Sequence, residues 1–417
     1  MTWLNARRSV LRFLVGGGAT FAMSCGRSAN GERPGMTQDL NLAWNAPQNV
    51  VAARNQPPPT NLGDPYFRGP ALSPDGSLLA VTLPSSPVNE LAIVDLKSRT
   101  GWVLSHPNNR VKLAHPTFSP DGREIAVIVT PPTYFGSSEI WIAPITGGTA
   151  HVIAEQPAAC YMSPQFSNDG RHIVCFGDAN QSSPQSDIRS YRTGSVQLAV
   201  YELEVATGRP SRVVDQAWSW AEYVAYADEQ DSFYLRTGLP SQRVADADGS
   251  ARWTSATNPA AARDQLGRFG FRIRRGEEPP EYPPSAAPEA LQRLGAALVG
   301  VDDAHGMLWR VPRRNELFAA GSASVLVRCD GPACADMIAV ENVHLQESTI
   351  SRDGRAAVGR IVRRLANDRE VVTPAEVHEY AVRNPIGEIE TLTLPHDVSF
   401  EPQRRPIIAG GPSELAS

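Results

Sequence analysis

The chain has 417 residues, 41% of them hydrophobic and 20% charged, so it can bury one large core or several average ones. A net charge of −5 gives no warrant for a nucleic-acid surface. Nearly all the basic residues are arginine, with lysine at Lys97 and Lys112 alone, a bias that a GC-rich genome also produces.

Residues 1–25 read as an export signal. Arg7, Arg8 and Arg12 form a basic start, an apolar glycine-rich run follows to Met23, and Ser24-Cys25-Gly26 ends it. The run is too short to span a bilayer. Arg7-Arg8 with Val10 and Leu11 resembles the twin-arginine export motif, with valine where phenylalanine is usual. Ala22-Met23-Ser24-Cys25 resembles a lipobox in which Ala22 replaces leucine, making Cys25 the candidate lipidated residue. Ordinary cleavage before Cys25 and the general secretory route stay open. Residues 26–39 are expected to be a tether, 40–411 one domain and 412–417 a tail.

Within that domain one phrase recurs. It reads Leu72-Ser73-Pro74-Asp75-Gly76, Phe118-Ser119-Pro120-Asp121-Gly122, Phe166-Ser167-Asn168-Asp169-Gly170 and Ile350-Ser351-Arg352-Asp353-Gly354. Ser73, Ser119 and Ser167 are 46 and 48 residues apart. Asp-Gly between β-prone runs signals a hairpin, because glycine accepts the positive φ of a tight turn. Self-similarity at this period signals a radial array whose units are four-stranded sheets. The expected fold is therefore all-β, a β-propeller of seven four-stranded blades, with six as the alternative.

In chain order, three blades follow the first three phrases. A fourth is expected from 223–227, 232–236, 242–245 and 251–253. The fifth takes 298–302 and 307–311, with outer strands from 316–320 and 324–328 or reaching 337–343. The sixth runs from 348 to 361, with outer strands 377–382 and 388–394. Residues 399–409 match the second phrase region in residue type, and 41–45 with 49–53 look like outer strands. Together they are expected to share a last blade that closes the ring and removes sheet edges. Insertions are expected at about 178–194 and 257–297, the latter with a short helix within 285–294 near Pro288.

The Phe-Ser-Pro-Asp-Gly-Arg phrase followed by an Ile/Val-Ala run resembles the TolB-like, or WD40-like, propeller repeat. That repeat occurs in periplasmic TolB, in the propellers of prolyl oligopeptidases and in oligogalacturonate lyases. The resemblance implies the fold and makes the phrase an architectural turn, so no residue of it is carried over as catalytic.

Chemistry is sparsely marked. No G-x-S-x-G elbow, phosphate loop or H-E-x-x-H motif occurs. Four cysteines remain besides Cys25. Cys329 and Cys334 flank a turn and form the candidate disulfide. Cys160 is out of register with Cys175, which favours buried free thiols. Candidate ligand contacts are Arg189 and Arg192 in the first insertion, Arg272, Arg274 and Arg275 in the second, and Trp218 with Trp220. His115, His344 and His396 sit just before inner strands. Resemblance to the lyases implies that such histidines could converge on the channel and hold a metal, although isolated structural histidines explain them as simply.

Two functions follow. The first is a non-enzymatic envelope scaffold, monomeric and without a cofactor, that binds a protein or glycan and touches the membrane through its lipid alone. The second is a lyase-type enzyme on an anionic polysaccharide with a histidine–metal site in the channel. The localisation expected under either is the periplasm.

Overall fold

A computed structural model describes residues 50–51, 69–82, 89–109, 111–130, 138–154, 161–180, 197–218, 221–228, 231–237, 240–245, 251–254, 270–278, 285–312, 324–340, 343–364, 370–371 and 377–410. Among the described residues the fold is all-β apart from one short helix, and its sheets have the radial arrangement of a β-propeller.

The recurring phrase works as a wired turn. In all four copies the serine hydroxyl donates to the aspartate Oδ1 at 2.6 Å. The serine Oγ in turn accepts from the amide five residues after the serine at 2.8–3.0 Å. The glycines hold φ between 70° and 73°. The serine amide bonds the carbonyl five residues later at 2.9 Å, so each loop holds four residues rather than the two of a minimal Asp-Gly hairpin. A fifth, disguised copy starts at Asp302. Its Oδ1 accepts the amides of Ala304 and Gly306, and His305 takes the glycine's place at φ 64°.

Strand β1 is Val50–Val51. Unit one holds β2 (Ala71–Leu72), β3 (Leu78–Thr82), β4 (Glu90–Asp95) and β5 (Thr100–Ser105). Unit two holds β6 (Lys112–Phe118), β7 (Glu124–Thr130), β8 (Glu139–Pro144) and β9 (Gly148–Ala154). Unit three holds β10 (Met162–Phe166), β11 (His172–Asp178), β12 (Leu198–Glu204) and β13 (Pro210–Trp218). Each pairs its strands antiparallel in sequence order.

Unit four departs from expectation. β14 (Ala221–Asp228) and β15 (Ser232–Thr237) make the inner hairpin, but β16 (Gln242–Ala245) and β17 (Ala251–Thr254) pair with each other as a separate arm. The third strand is β18 (Phe271–Arg274), from inside the expected insertion. The reason is burial: every residue of β16 is exposed, whereas Phe271 and Ile273 alternate with exposed arginines and enter the core. Helix α1 (Glu289–Leu294) follows, after Pro288, and ends on Gly295 at φ 74°.

Unit five holds β19 (Ala297–Val301), β20 (Met307–Pro312), β21 (Ser324–Asp330) and β22 (Ala333–Val340). Its fourth strand is thus the later of the two alternatives, and 316–320 lies outside the described residues. Unit six holds β23 (His344–Ile350), β24 (Ala357–Arg364), the short β25 (Glu370–Val371) beside β24, then β26 (His378–Arg383) and β27 (Ile389–Leu394).

The last strand, β28 (Ser399–Ala409), corrects the expected closure. It runs parallel to β5 and, further on, parallel to β9, covering the outer edges of units one and two. β1 instead runs parallel to β22 of unit five, so head and tail share no sheet among the described residues. The physical reason is local. Where the phrase has Asp-Gly, this segment has Gln403-Arg404, with no glycine to take the positive φ, and the chain runs straight.

Apolar faces join the units in succession. Leu91, Ile93 and Leu104 meet Leu113, Ile125 and Val127 between units one and two. Ile128 and Ile142, then Phe176 and Val200, then Val224 and Leu235 make one cluster through units two, three and four. Tyr223 and Tyr234 pack on Leu298 and Trp309 of unit five. Leu308 and Leu326 pack on Leu345 and Ile361 of unit six. Tyr380, Val382 and Leu392 of unit six pack on Leu79, Val81 and Val94 of unit one. Each such side chain contributes about 1.5–3 kcal/mol relative to exposure, so these junctions outweigh any single polar contact.

Candidate functional site: an axial cup

Inner strands lose regularity at one depth. The ladder is interrupted between Ala114 and Thr117, Met162 and Gln165, Ala221 and Tyr223, Leu298 and Gly300, and Gln346 and Thr349. Such bulges redirect side chains away from the sheet's alternation. His115, Ser163 and Glu347 take positive φ of 47°, 51° and 44° there, a conformation that costs energy in non-glycine residues. Two of these breaks have a visible cause in the sequence, because Pro116 and Pro164 follow His115 and Ser163 and have no N–H for the ladder; Pro70 follows Gly69 in the same way just before β2.

The redirected residues line one cavity of about 420 Å³ on the axis. Gly69, His115, Ser163 and Glu347, each four residues before a phrase serine, are joined there by Glu222 and Val299. Units four to six supply its charges. Arg236 pairs with Glu222, and Arg360 Nη1 lies 3.4 Å from Glu347. Arg310, also in the lining, donates to the Leu345 carbonyl at 3.4 Å. Units one to three supply Pro70, Met162 and Ser163, whose Oγ donates to the Glu222 carbonyl at 3.1 Å. Burial pushes the Tyr223 phenol above its ordinary range, so this hydroxyl stays neutral at the wall.

Beyond the cup lies a smaller cavity of about 90 Å³, lined by Asn168, Asp303 and Arg352 among others. These three occupy the second position of the phrase, where units one and two have Pro74 and Pro120. Arg352 Nε donates to Asp303 at 2.9 Å and Nη2 to Asn168 Oδ1 at 2.5 Å. One guanidinium therefore bridges units three, five and six at the phrase end of the axis.

The candidates read from sequence scatter. His115 and His344 both line the cup, whereas His396 is exposed beyond β27 and does not join them. Among the described residues no three His, Cys, Asp or Glu side chains group as a metal site. Trp218 is 1% exposed and packs in the core 6.4 Å from Phe271, so it contacts no ligand. Arg272 donates to Ser232 Oγ at 2.8 Å, Arg274 lies 3.8 Å from Glu277, and Arg275 donates to Glu202 at 2.8 Å. None of the three lines the cup. Cys329 and Cys334 are joined by a disulfide, and Cys175 is a buried free thiol facing the Ser163 bulge. Arg7, Arg8, Cys25, Cys160, Arg189, Arg192 and Trp220 lie outside the described residues. Sequence reasoning missed Glu222, Arg236, Arg310 and Glu347; the Xaa-Pro pairs before the phrase mark only their neighbours in the lining, Gly69, His115 and Ser163.

No family model matches the chain, and no curated protein matches it. Solved structures do. TolB from Acinetobacter baumannii is 14% identical with a TM-score of 0.43, over 79% of this chain and 64% of that one. An oligogalacturonate lyase in complex with manganese is 12% identical with a TM-score of 0.44, over 78% and 76%. The β-propeller domain of the Trilobed protease from Pyrococcus furiosus is 12% identical with a TM-score of 0.38, over 78% and 95%. The chain thus spans less than two thirds of the TolB length. What the cup does is argued from its own residues.

Proposed function

We propose that this chain is an exported β-propeller that serves as a binding scaffold in the bacterial envelope and takes its ligand, protein or glycan, into the axial cup. The observation that carries the reading is the set of inner-strand breaks at one depth, which turn His115, Ser163, Glu222, Val299 and Glu347 toward a common cavity. Strained backbone repeated around an axis supports a recognition role, because a merely structural strand has no need of it. In this reading the six units complete the ring, unit six against unit one, and Arg352 makes the channel a cup by bolting its far end. Export rests on Arg7 and Arg8, with Cys25 as the lipid-bearing anchor of a monomer.

Crosslinking in the envelope followed by pulldown tests the cup. Gly69 lines it, and a Cβ there meets nothing within 4 Å, so Gly69→Trp fills the cavity at little backbone cost. Capture of a partner that disappears in this variant supports the reading. Undiminished capture contradicts it.

One observation favours the enzymatic alternative: His115 and His344 share the cup with Arg236 and Arg310. Incubation with uronic-acid polymers, read out as new unsaturated products, separates the two. Products lost in His115→Ala would establish a lyase.

A further inference from the structure

Strand β28 is surplus to the units it covers. β2 to β5 and β6 to β9 each pair antiparallel in sequence order without it. Of its eleven residues Ile407 alone is buried. Pro402 and Pro406 have no amide for a ladder, and the register on β5 breaks between Phe400 and Arg404. Parallel pairing is also the less stable kind per residue. A strand held this lightly belongs to the part of a fold where local opening costs least.

The groove beneath it is nevertheless closely shaped. Gly101 makes room for the Phe400 ring, because a Cβ there would lie 2.8 Å from Phe400 Cε1. Gly147, at φ 81°, makes room for the next part of the strand, because its Cβ would lie 2.8 Å from the Arg405 Cβ. The Glu90 carboxylate accepts from Arg404 Nε at 3.0 Å. The Arg405 guanidinium, paired with Glu401 of its own strand, lies 4.7 Å from the Trp102 ring. Trp102 Nε1 donates to the Ile145 carbonyl at 2.5 Å, which fixes that ring across units one and two. Ile407 joins the apolar cluster of Leu104, Leu113 and Ala150.

These sockets select a basic occupant. The Glu90 side chain is 9% exposed, so an empty groove leaves a nearly buried carboxylate without the Arg404 cation, a strongly destabilising state. Main-chain bonds along a sheet edge give affinity to any extended segment, and side-chain sockets make it specific.

We propose that the groove along β5 and β9 is a strand-docking site kept closed by β28, and that an extended basic segment of a partner protein takes it by displacing β28. The fitting pattern is that of Phe400, Arg404, Arg405 and Ile407: an aromatic residue, two arginines and an aliphatic residue at the same spacing. The site is independent of the cup.

Anisotropy titration of a fluorescent peptide spanning 398–410 into the full chain tests it. In the protein, Ile407→Ser and Arg404→Ala each loosen β28, and the second leaves every core residue in place. The peptide is expected to bind both variants about tenfold more tightly than the parent, because the open groove is more populated. It should also slow hydrogen exchange over Thr100–Ser105 and Gly148–Ala154 in them. A peptide carrying Arg404→Glu is expected to bind about tenfold more weakly than the unaltered one. No binding to either variant, equal binding to parent and variants, or equal binding of the two peptides overturns the proposal. A dimer of Arg404→Ala in light scattering that the peptide dissociates would give the groove to a second copy of the chain, and overturns the choice of a partner as occupant.

Discussion

Arg352 of unit six donates through Nη2 to the Asn168 Oδ1 of unit three at 2.5 Å, and both stand where the repeated phrase otherwise has proline. Proline offers no side-chain polar group, so the two departures from the repeat are a matched pair rather than separate decay. Arg352 is 17% exposed, and its Nε also donates to Asp303 of unit five.

Removing that bolt should cost stability. Arg352→Ala is expected to lower the unfolding free energy by about 1.5–3 kcal/mol in urea, the range for bonds to a charged group. On an Asn168→Ala background the same change should cost less, with a coupling of about 0.5–3 kcal/mol. Strictly additive losses would show that the bond contributes nothing.

Asp121 and Asp75, the phrase aspartates of units two and one, make the fold acid-sensitive. The Ser119 hydroxyl and the Arg123 amide hold the Asp121 carboxyl below its ordinary value of 3.8. The folded state therefore binds this proton less readily than the unfolded chain. The contribution is present in full above 3.8 and is lost as pH falls through the folded value. Asp75 shifts the same way: burial alone would raise it, but hydrogen bonds from Ser73 and Ser77 bring it down. Urea unfolding at about pH 7 and about pH 3 should show a smaller difference for Asp121→Asn than for the parent.

Deleting the chain after Val398 removes β28, and its effect should be local. The outer edges of β5 and β9 lose their parallel partner, and Ile407 leaves the cluster between units one and two. Hydrogen exchange is expected to accelerate over Thr100–Ser105 and Gly148–Ala154, with self-association through the bared edges. Faster exchange spread evenly through all units would instead mean that β28 closes the ring.

Much of this architecture was legible. The phrase predicts units one to three and six because its serine, aspartate and glycine each carry a separate part of the turn. The Asp302 copy is hidden, since one carboxylate accepts both amides and His305 stands in for glycine. Unit four misleads because β16 and β17 are as β-prone as a blade strand, whereas the alternation of Phe271 and Ile273 with arginines lies in a stretch that reads as insertion. The site was the least legible part. His115, Ser163, Glu222 and Glu347 share no residue type, and what unites them is a backbone break that an Xaa-Pro pair announces at His115 and Ser163 alone.

The closed ring on which the cup depends is tested most directly by two glycines. Gly76 and Gly122 sit at the same phrase position with φ of 70° and 71°, so alanine imposes the same backbone strain at each. A Cβ at Gly122 would lie 3.4 Å from Pro74, an ordinary contact, whereas one at Gly76 would lie 2.3 Å from the Ala356 Cβ of unit six. Comparing the unfolding free energies of Gly76→Ala and Gly122→Ala therefore isolates the junction between units six and one. Gly76→Ala should be the less stable by about 1–3 kcal/mol, and Ala356→Gly should recover most of that difference. Equal losses in the two single variants, with no recovery, would contradict a ring closed by unit six against unit one.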